Sequence, residues 1–346
     1  MQCFLGGVTP NGFRNEFSAI AERNGYYGYI LKGGPGTGKS SLMKRLAEEY
    51  GGECDYYRCS SDLNSLDAVV FKEKGIYVAD GTAPHVMEPK HPALDGEYIN
   101  LGDFWDKNKI APHRQALEYC FAENAAFHKR AARFVSASGE LFGGLYDYAR
   151  TCVLEEKLQA FVQRFARKML GKPAEFEGQC ENRQLSAITQ SGYFTQEIDK
   201  RYTVVAVCDD YFAVGGELLR LICAEALSRG LAVYISHCRL ITSNPIEAVL
   251  IPEKNLAFLS ENFLNAKRYD CLKRINGMRF YNTAKIAEKK QKIAFDKSAG
   301  LELCTEAASS IASALAVHDE IEKYYINAMD FTKVDKVCRK ILKSIS

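Results

Sequence analysis

Gly33-Gly34-Pro35-Gly36-Thr37-Gly38-Lys39-Ser40 fits the pattern G-x-x-x-x-G-K-[ST] at every fixed position, and its flanks supply the setting this pattern needs. Upstream, Tyr26 to Leu31 is an apolar, aromatic run that predicts a buried strand. Downstream, Leu42, Leu46 and Tyr50 recur four residues apart, which predicts one face of a helix stopped by Gly51-Gly52. Glycines admit positive φ and let backbone approach a ligand closely. Successive N–H groups at a helix N-terminus then form a concavity suited to anions. In such a loop Gly33, Gly34, Pro35, Gly36, Thr37, Gly38 and Ser41 cradle phosphate. Lys39 reaches the β- and γ-phosphates, and Ser40 places its hydroxyl on Mg²⁺.

Working outward, the next segments continue an α/β pattern. Glu53 to Cys59 reads as a second strand, Asn64 to Phe71 as a short apolar segment around Asp67, and Gly75 to Gly81 as a strand ending in Asp80. A carboxylate at a strand's carboxyl end beside a phosphate loop is the arrangement that holds a Mg²⁺ shell, so Asp80 joins Ser40 as a metal candidate. His85 and Glu88 follow on a loop at the same edge of the sheet, placed to orient a water or a substrate. From Ala111 to Leu170 the pattern is helical, and Phe127, Phe134, Leu141, Leu145, Leu154, Leu158, Phe161 and Phe165 form its apolar stripe, read as core. Residues 171–182 read as a linker.

Beyond the linker the chain repeats itself. Ala187 to Tyr193 echoes Gly7 to Phe13, and Tyr202 to Val207 echoes Tyr26 to Leu31. Glu217 to Arg229, stopped by Gly230, matches the helix that ends at Gly51. Asn244 to Leu250 matches Asn64 to Val70. The second copy lacks the chemistry. Cys208-Asp209-Asp210-Tyr211-Phe212-Ala213-Val214-Gly215-Gly216 stands in place of the glycine loop, with no lysine ahead of the helix, and Ser260-Glu261 stands in place of Asp80. The expected fold is α/β: tandem P-loop NTPase-like domains, mostly parallel sheets flanked by helices, each followed by a helical segment. Residues 1–172 form the active copy and 180–346 the degenerate one.

The totals bound the setting. The chain has 346 residues, 47% apolar and 25% charged, and a formal charge of +2, which gives no basis for a specific nucleic-acid partner or an anionic membrane. The Lys-rich stretch Lys285 to Lys297 also carries Glu288, Asp296, Ile286 and Ile293, the pattern of a solvated amphipathic face. No window is apolar over a membrane-spanning length, and no basic n-region precedes an apolar run, so a cytoplasmic location is expected. Twelve cysteines occur without a C-x-x-C pair, which reads as reduced, mostly buried thiols.

On the run Leu31 to Lys44, on Cys59-Ser60-Ser61-Asp62 with Ser65-Leu66-Asp67, and on Ala79 to His85 with Glu88-Pro89, the chain resembles an uncharacterised bacterial P-loop ATPase family built from two tandem, related P-loop NTPase halves. The resemblance is strongest over residues 4–105 and implies an ATP-binding fold with ATPase activity. Members carry a usable P-loop in both halves, and this chain departs from that pattern.

Three functions remain open. The first is a Mg-dependent ATPase, with ATP as the nucleotide (GTP stays open, although no N-K-x-D-like segment is present). Lys39, Asp80 and His85 would then be catalytic alongside Asp62, the first candidate to orient the attacking water. Arg114, Arg130, Arg133, Arg201 and Arg239 are the candidates to meet the developing charge. The second is a small-molecule or nucleotide kinase, whose mark would be a cluster of arginines in one lid. The third is a nucleotide-dependent switch that binds a protein partner through the second copy.

Overall fold

The computed structural model describes every residue except Asn24, Pro84, His85 and Ala266. The first copy runs β1 (Gln2–Phe4), β2 (Gly6–Thr9), β3 (Gly12–Asn15), α1 (Ser18–Ala21), β4 (Tyr27–Lys32), α2 (Lys39–Tyr50), β5 (Cys54–Arg58), β6 (Leu66–Phe71), β7 (Ile76–Asp80), β8 (Gly96–Asn100), α3 (Lys107–Ile110), α4 (Arg114–Arg150) and α5 (Glu155–Leu170). The second runs β9 (Cys180–Asn182), β10 (Ser186–Thr189), β11 (Gly192–Thr195), β12 (Thr203–Cys208), α6 (Ala213–Leu227), β13 (Val233–His237), β14 (Ile246–Ile251), β15 (Leu256–Glu261), β16 (Lys273–Asn276), α7 (Thr283–Glu288), α8 (Lys290–Ile326) and α9 (Phe331–Ile345). The duplication inferred from sequence is therefore a duplication of structure, with the short α1 of the first copy lacking a counterpart between β11 and β12.

Among the described residues each copy forms a six-stranded mixed sheet, β1-β5-β6-β7-β4-β8 and β9-β13-β14-β15-β12-β16. In each sheet one strand, β6 or β14, runs against the other five. The hairpins repeat at the level of single hydrogen bonds. Thr9 Oγ1 donates to the Gly12 carbonyl at 2.8 Å, and Thr189 Oγ1 donates to that of Gly192 at 2.9 Å. Gly12 and Gly192 take φ of +101° and +99°, the left-handed backbone that glycine reaches without strain.

Alternation along the strands sets the layers. Ala68 and Val70 of β6 join Ala248 and Leu250 of β14 in a core between the two sheets. Val69 and Phe71 point the other way, onto α2, and Val249 and Ile251 point into the second copy's helical core. Each sheet is thus covered on both faces, which is why its central strands are apolar throughout rather than alternating. At the joint Phe4 pairs with Gln184, and the buried Arg183 donates to Asp55 at 2.7 Å. Burial opposes the charge on Asp55, yet Arg183 and Lys72 outweigh it and hold that carboxyl down at about 2.

The helical segments depart from a simple tandem arrangement. The stretch from Ala111 to Leu170 breaks at Thr151 to Leu154 into α4 and α5. The long helices α4 and α8 pack along each other and carry each copy's last helix across to the opposite copy; Gly300 allows the close approach, since a Cβ there would lie 2.4 Å from the Phe142 ring. Leu158, Val162 and Phe165 of α5 complete the core of β12, β14 and α6, whereas Val334, Cys338, Ile341 and Ile345 of α9 complete the core of β4, β6 and α2. The sequence repeats are 1–172 and 180–346, but each packed body borrows its outer helix from the other repeat. No helix among the described residues is long and apolar enough to cross a membrane. The twelve cysteines are free, and seven are buried.

Candidate functional site

The loop Gly33–Gly38 joins β4 to α2, and β7 lies beside β4 with Leu31 opposite Asp80. This register delivers the Asp80 carboxylate to the mouth of the loop. Gly36 and Gly38 take φ of +67° and +84°, and Gly38 is the N-cap of α2, whose N-terminus no side chain caps. A side chain at either position would strain the turn. Lys39, the first residue of α2, folds back across the loop. Its Nζ donates to the carbonyls of Gly33 and, at 3.0 Å, Gly34, and lies 3.6 Å from Asp80 Oδ2. Thr82 pins the same corner, its N–H donating to Asp80 Oδ1 at 2.8 Å and its hydroxyl to the Gly33 carbonyl at 2.8 Å. The buried Thr37 donates to the Gly34 carbonyl at 3.0 Å, while Ser41 is exposed.

Ser40 Oγ accepts from the N–H of Leu66 at 3.0 Å, which ties the start of α2 to the start of β6. The next residue on β6, Asp67, is buried, and burial together with the Asp80 charge pushes its carboxyl up to about 8. Lys39 acts on it in the opposite sense. Ser40 and Asp80 supply a hydroxyl and a carboxylate at the loop, hard oxygen donors of the kind Mg²⁺ takes. Beside the first loop residues opens a cleft of about 560 Å³, lined by Lys32, Gly34, Thr82, Asn100, Trp105 and Lys107. This is within the size range of small-ligand sites. A Cβ on Gly34 would stand 3.2 Å from the Trp105 ring, so the indole forms the cleft wall next to the loop.

The far side of the loop is covered by the second copy. The N–H of Gly36 donates to Glu322 Oε1 of α8 at 3.0 Å, and Gly36 is buried. A Cβ on Gly36 would lie 3.0 Å from the Ile326 side chain, and one on Gly38 would lie 3.3 Å from the Phe331 ring. Glu322 belongs to a cluster with His318 and Asp319 whose ligand-type atoms lie within 4.8 Å of one another. Burial raises the Asp319 carboxyl, and the charges of Glu322 and Asp62 raise it further, against the opposing effect of His318.

Asp62, read from sequence as the water-orienting residue, is near enough to α8 for its charge to act on Asp319. Its carboxylate accepts from Ser65 Oγ at 2.5 Å and from the Asn64 N–H at 2.9 Å. Glu88 bonds to the Tyr98 hydroxyl instead. His85 lies outside the described residues. Arg114 pairs with Glu118 at 2.8 Å, Arg130 with Glu306 at 3.6 Å, Arg201 with Glu53 at 3.7 Å, and Arg239 with Glu16. Arg133 is exposed on α4. Arg130 and Arg133 lie three residues apart on the exposed face of α4, the suggestive pair for a kinase lid.

Sequence reasoning missed Glu322, Asp319, His318 and Trp105 as site residues, and it took Asp67 as the centre of an apolar segment and part of the resemblance, without a role in the site. The one available signal was His318-Asp319 with Glu322, a polar turn at helical spacing near the end of an Ala-rich helix. Its return to the first copy's loop depends on the helix exchange, which no local pattern encodes. Comparison with protein-family models, with curated proteins and with solved structures finds no match to this chain.

Proposed function

We propose that the chain is a Mg-dependent ATP-binding protein whose first copy is a P-loop that hydrolyses ATP, and whose second copy is a decayed, regulatory or docking partner of that site. The observation that carries this reading is the loop itself. Gly33–Gly38 presents an uncapped α2 N-terminus, with Lys39 held 3.6 Å from a strand-end carboxylate, Asp80. Amides and a lysine converging on one spot favour a polyphosphate, and the resemblance drawn from the sequence agrees. Lys39 would leave the Gly33 and Gly34 carbonyls to meet the β- and γ-phosphates, and Thr82 would keep Asp80 oriented as it does so. Bound Mg²⁺, held by Ser40 and Asp80, would supply charge neutralisation on the phosphates. Asp62 remains the candidate to orient water, and the cleft walled by Trp105 has room for the nucleoside.

Four of the arginines considered above are paired with carboxylates elsewhere and Arg133 is exposed on α4, which supports slow intrinsic turnover and gives weight to the switch alternative. Phosphate release under Mg-ATP, compared between wild type and Asp80→Asn, tests the reading. Saturable release in the wild type that falls at least about a hundredfold in the variant is expected, the scale of lost transition-state charge stabilisation. Release unchanged by the substitution would exclude this site as the source.

A further inference from the structure

We propose that the second copy's long helix α8 is a built-in competitor for the phosphate loop, with the Glu322 carboxylate holding the place of a phosphate oxygen until a nucleotide displaces it. This rests on the nucleotide reading given above and adds regulation to it.

Four observations converge. The Gly36 N–H, one of the loop amides a phosphate would use, is already bonded to Glu322 Oε1 at 3.0 Å. Gly36 is buried, with Ile326 and the Glu322 backbone against it, and Phe331 faces Gly38. A polyphosphate seated along these amides therefore has to shift the end of α8. The groups acting on Asp319 from α8 and from the first copy include the Glu322 and Asp62 carboxylates, with His318 and Lys323 acting in the opposite sense. That predominantly acidic surround opposes an approaching triphosphate.

The fourth observation is internal. In the second copy Asp209 fills the shorter loop with a carboxylate of its own, accepting from the Gly215 N–H at 2.8 Å and from the Tyr281 hydroxyl at 2.9 Å. Both loops thus hold a carboxylate in the absence of phosphate. Asp209 comes from the loop itself and is buried, whereas Glu322 is half-buried and comes from a separate element, near the end of α8. Since α8 leads directly into α9, which packs on α2, displacement of Glu322 would reach the helix that covers the first copy's sheet.

The test is titration of a fluorescent ATP analogue with Mg²⁺ into full-length wild type, Glu322→Ala and Glu322→Gln, with thermal melts to check folding. Removing the competitor should tighten binding by about tenfold or more in the alanine variant, the scale of one charge-assisted hydrogen bond. Amide exchange over residues 318–326 should accelerate when nucleotide binds the wild type. Equal or weaker binding in folded Glu322→Ala overturns the proposal while leaving the nucleotide site in place, and weaker binding only with Mg²⁺ makes Glu322 a ligand-shell residue instead. If neither the wild type nor the alanine variant binds, the competitor and the nucleotide reading fall together.

Discussion

The two copies end the same strand in opposite ways. In the first, β4 stops at Lys32 and the connection Gly33–Gly38 leads into an uncapped helix carrying Lys39 and Ser40. In the second, β12 stops at Cys208 and the connection Asp209–Phe212 is two residues shorter, leading into a helix that begins Ala213-Val214. The residues that sat over the loop have changed with it. Trp105 lines the open cleft of the first copy, and its counterpart Tyr281, which pairs with Val153 as Trp105 pairs with Met329, instead accepts from the Val214 N–H at 2.9 Å. On the proposed nucleotide reading, the first loop leaves amides for an external anion, whereas the second satisfies its amides with its own Asp209. The lesson is that a duplicated fold outlives its site because the helix N-terminus needs an acceptor, and Asp209 meets that need.

Breaking the helix exchange should give the largest effect. Ile341 on α9 is fully buried in the first copy's core, so Ile341→Ala should cost ~2–5 kcal/mol by denaturant unfolding. The accompanying rise in amide exchange should fall on α2 and β6 of the first copy, and Leu158→Ala on α5 should loosen α6 and β12 of the second. Exchange that rises only within the mutated repeat would contradict the exchange of helices.

Removing the internal anion comes next. Asp209→Ala strands the N–H groups of Gly215 and Tyr211 and the Tyr281 hydroxyl, and should cost ~1–3 kcal/mol with no change in nucleotide affinity. A variant as stable as wild type would show that the second loop does not depend on its carboxylate.

The smallest effect distinguishes a second pair of equivalents, Asp67 and Glu247. Burial raises both carboxyls; Glu247 accepts from Ser186, from Tyr193 at 2.6 Å and from Ser236 at 2.9 Å, which act against the rise, whereas Asp67 has the Asp80 charge added to burial and is pushed to about 8. Its folded-state pKa is above the unfolded value of 3.8, so the folded protein keeps a proton that the unfolded chain releases. The contribution of Asp67 to stability is therefore greatest below pH ~4 and declines as pH rises to about 8. Asparagine has no such proton. The stability of Asp67→Asn relative to wild type should then improve between pH 5 and pH 8 in urea unfolding, and a pH-independent difference would place Asp67 in an ordinary carboxylate environment.

Much of this architecture was legible locally. The glycine loop, its flanking strand and helix, the Asp80 strand and the echo between copies all follow from spacing that depends on neighbours in sequence. Both hairpins could be matched because Thr9 and Thr189 make the same turn-closing bond. What was not legible depends on contacts far apart in the chain. The break at Thr151 to Leu154 carries no glycine or proline to announce it. The antiparallel run of β6 and the passage of α9 onto α2 are decided by which apolar face is left uncovered after the sheets pack. Glu322 and Asp319 were invisible as site residues for the same reason: their helix belongs to the other repeat.

The central claim is that Gly33 to Ser40 binds a nucleoside triphosphate. Calorimetric titration of Mg-ATP into wild type and Lys39→Ala tests it most directly. The account predicts one saturable site per chain in the wild type, weakened at least about a hundredfold in the variant, which is ~2.7 kcal/mol. Equal affinity in the two proteins, or no binding to either the folded wild type or folded Glu322→Ala, would contradict it.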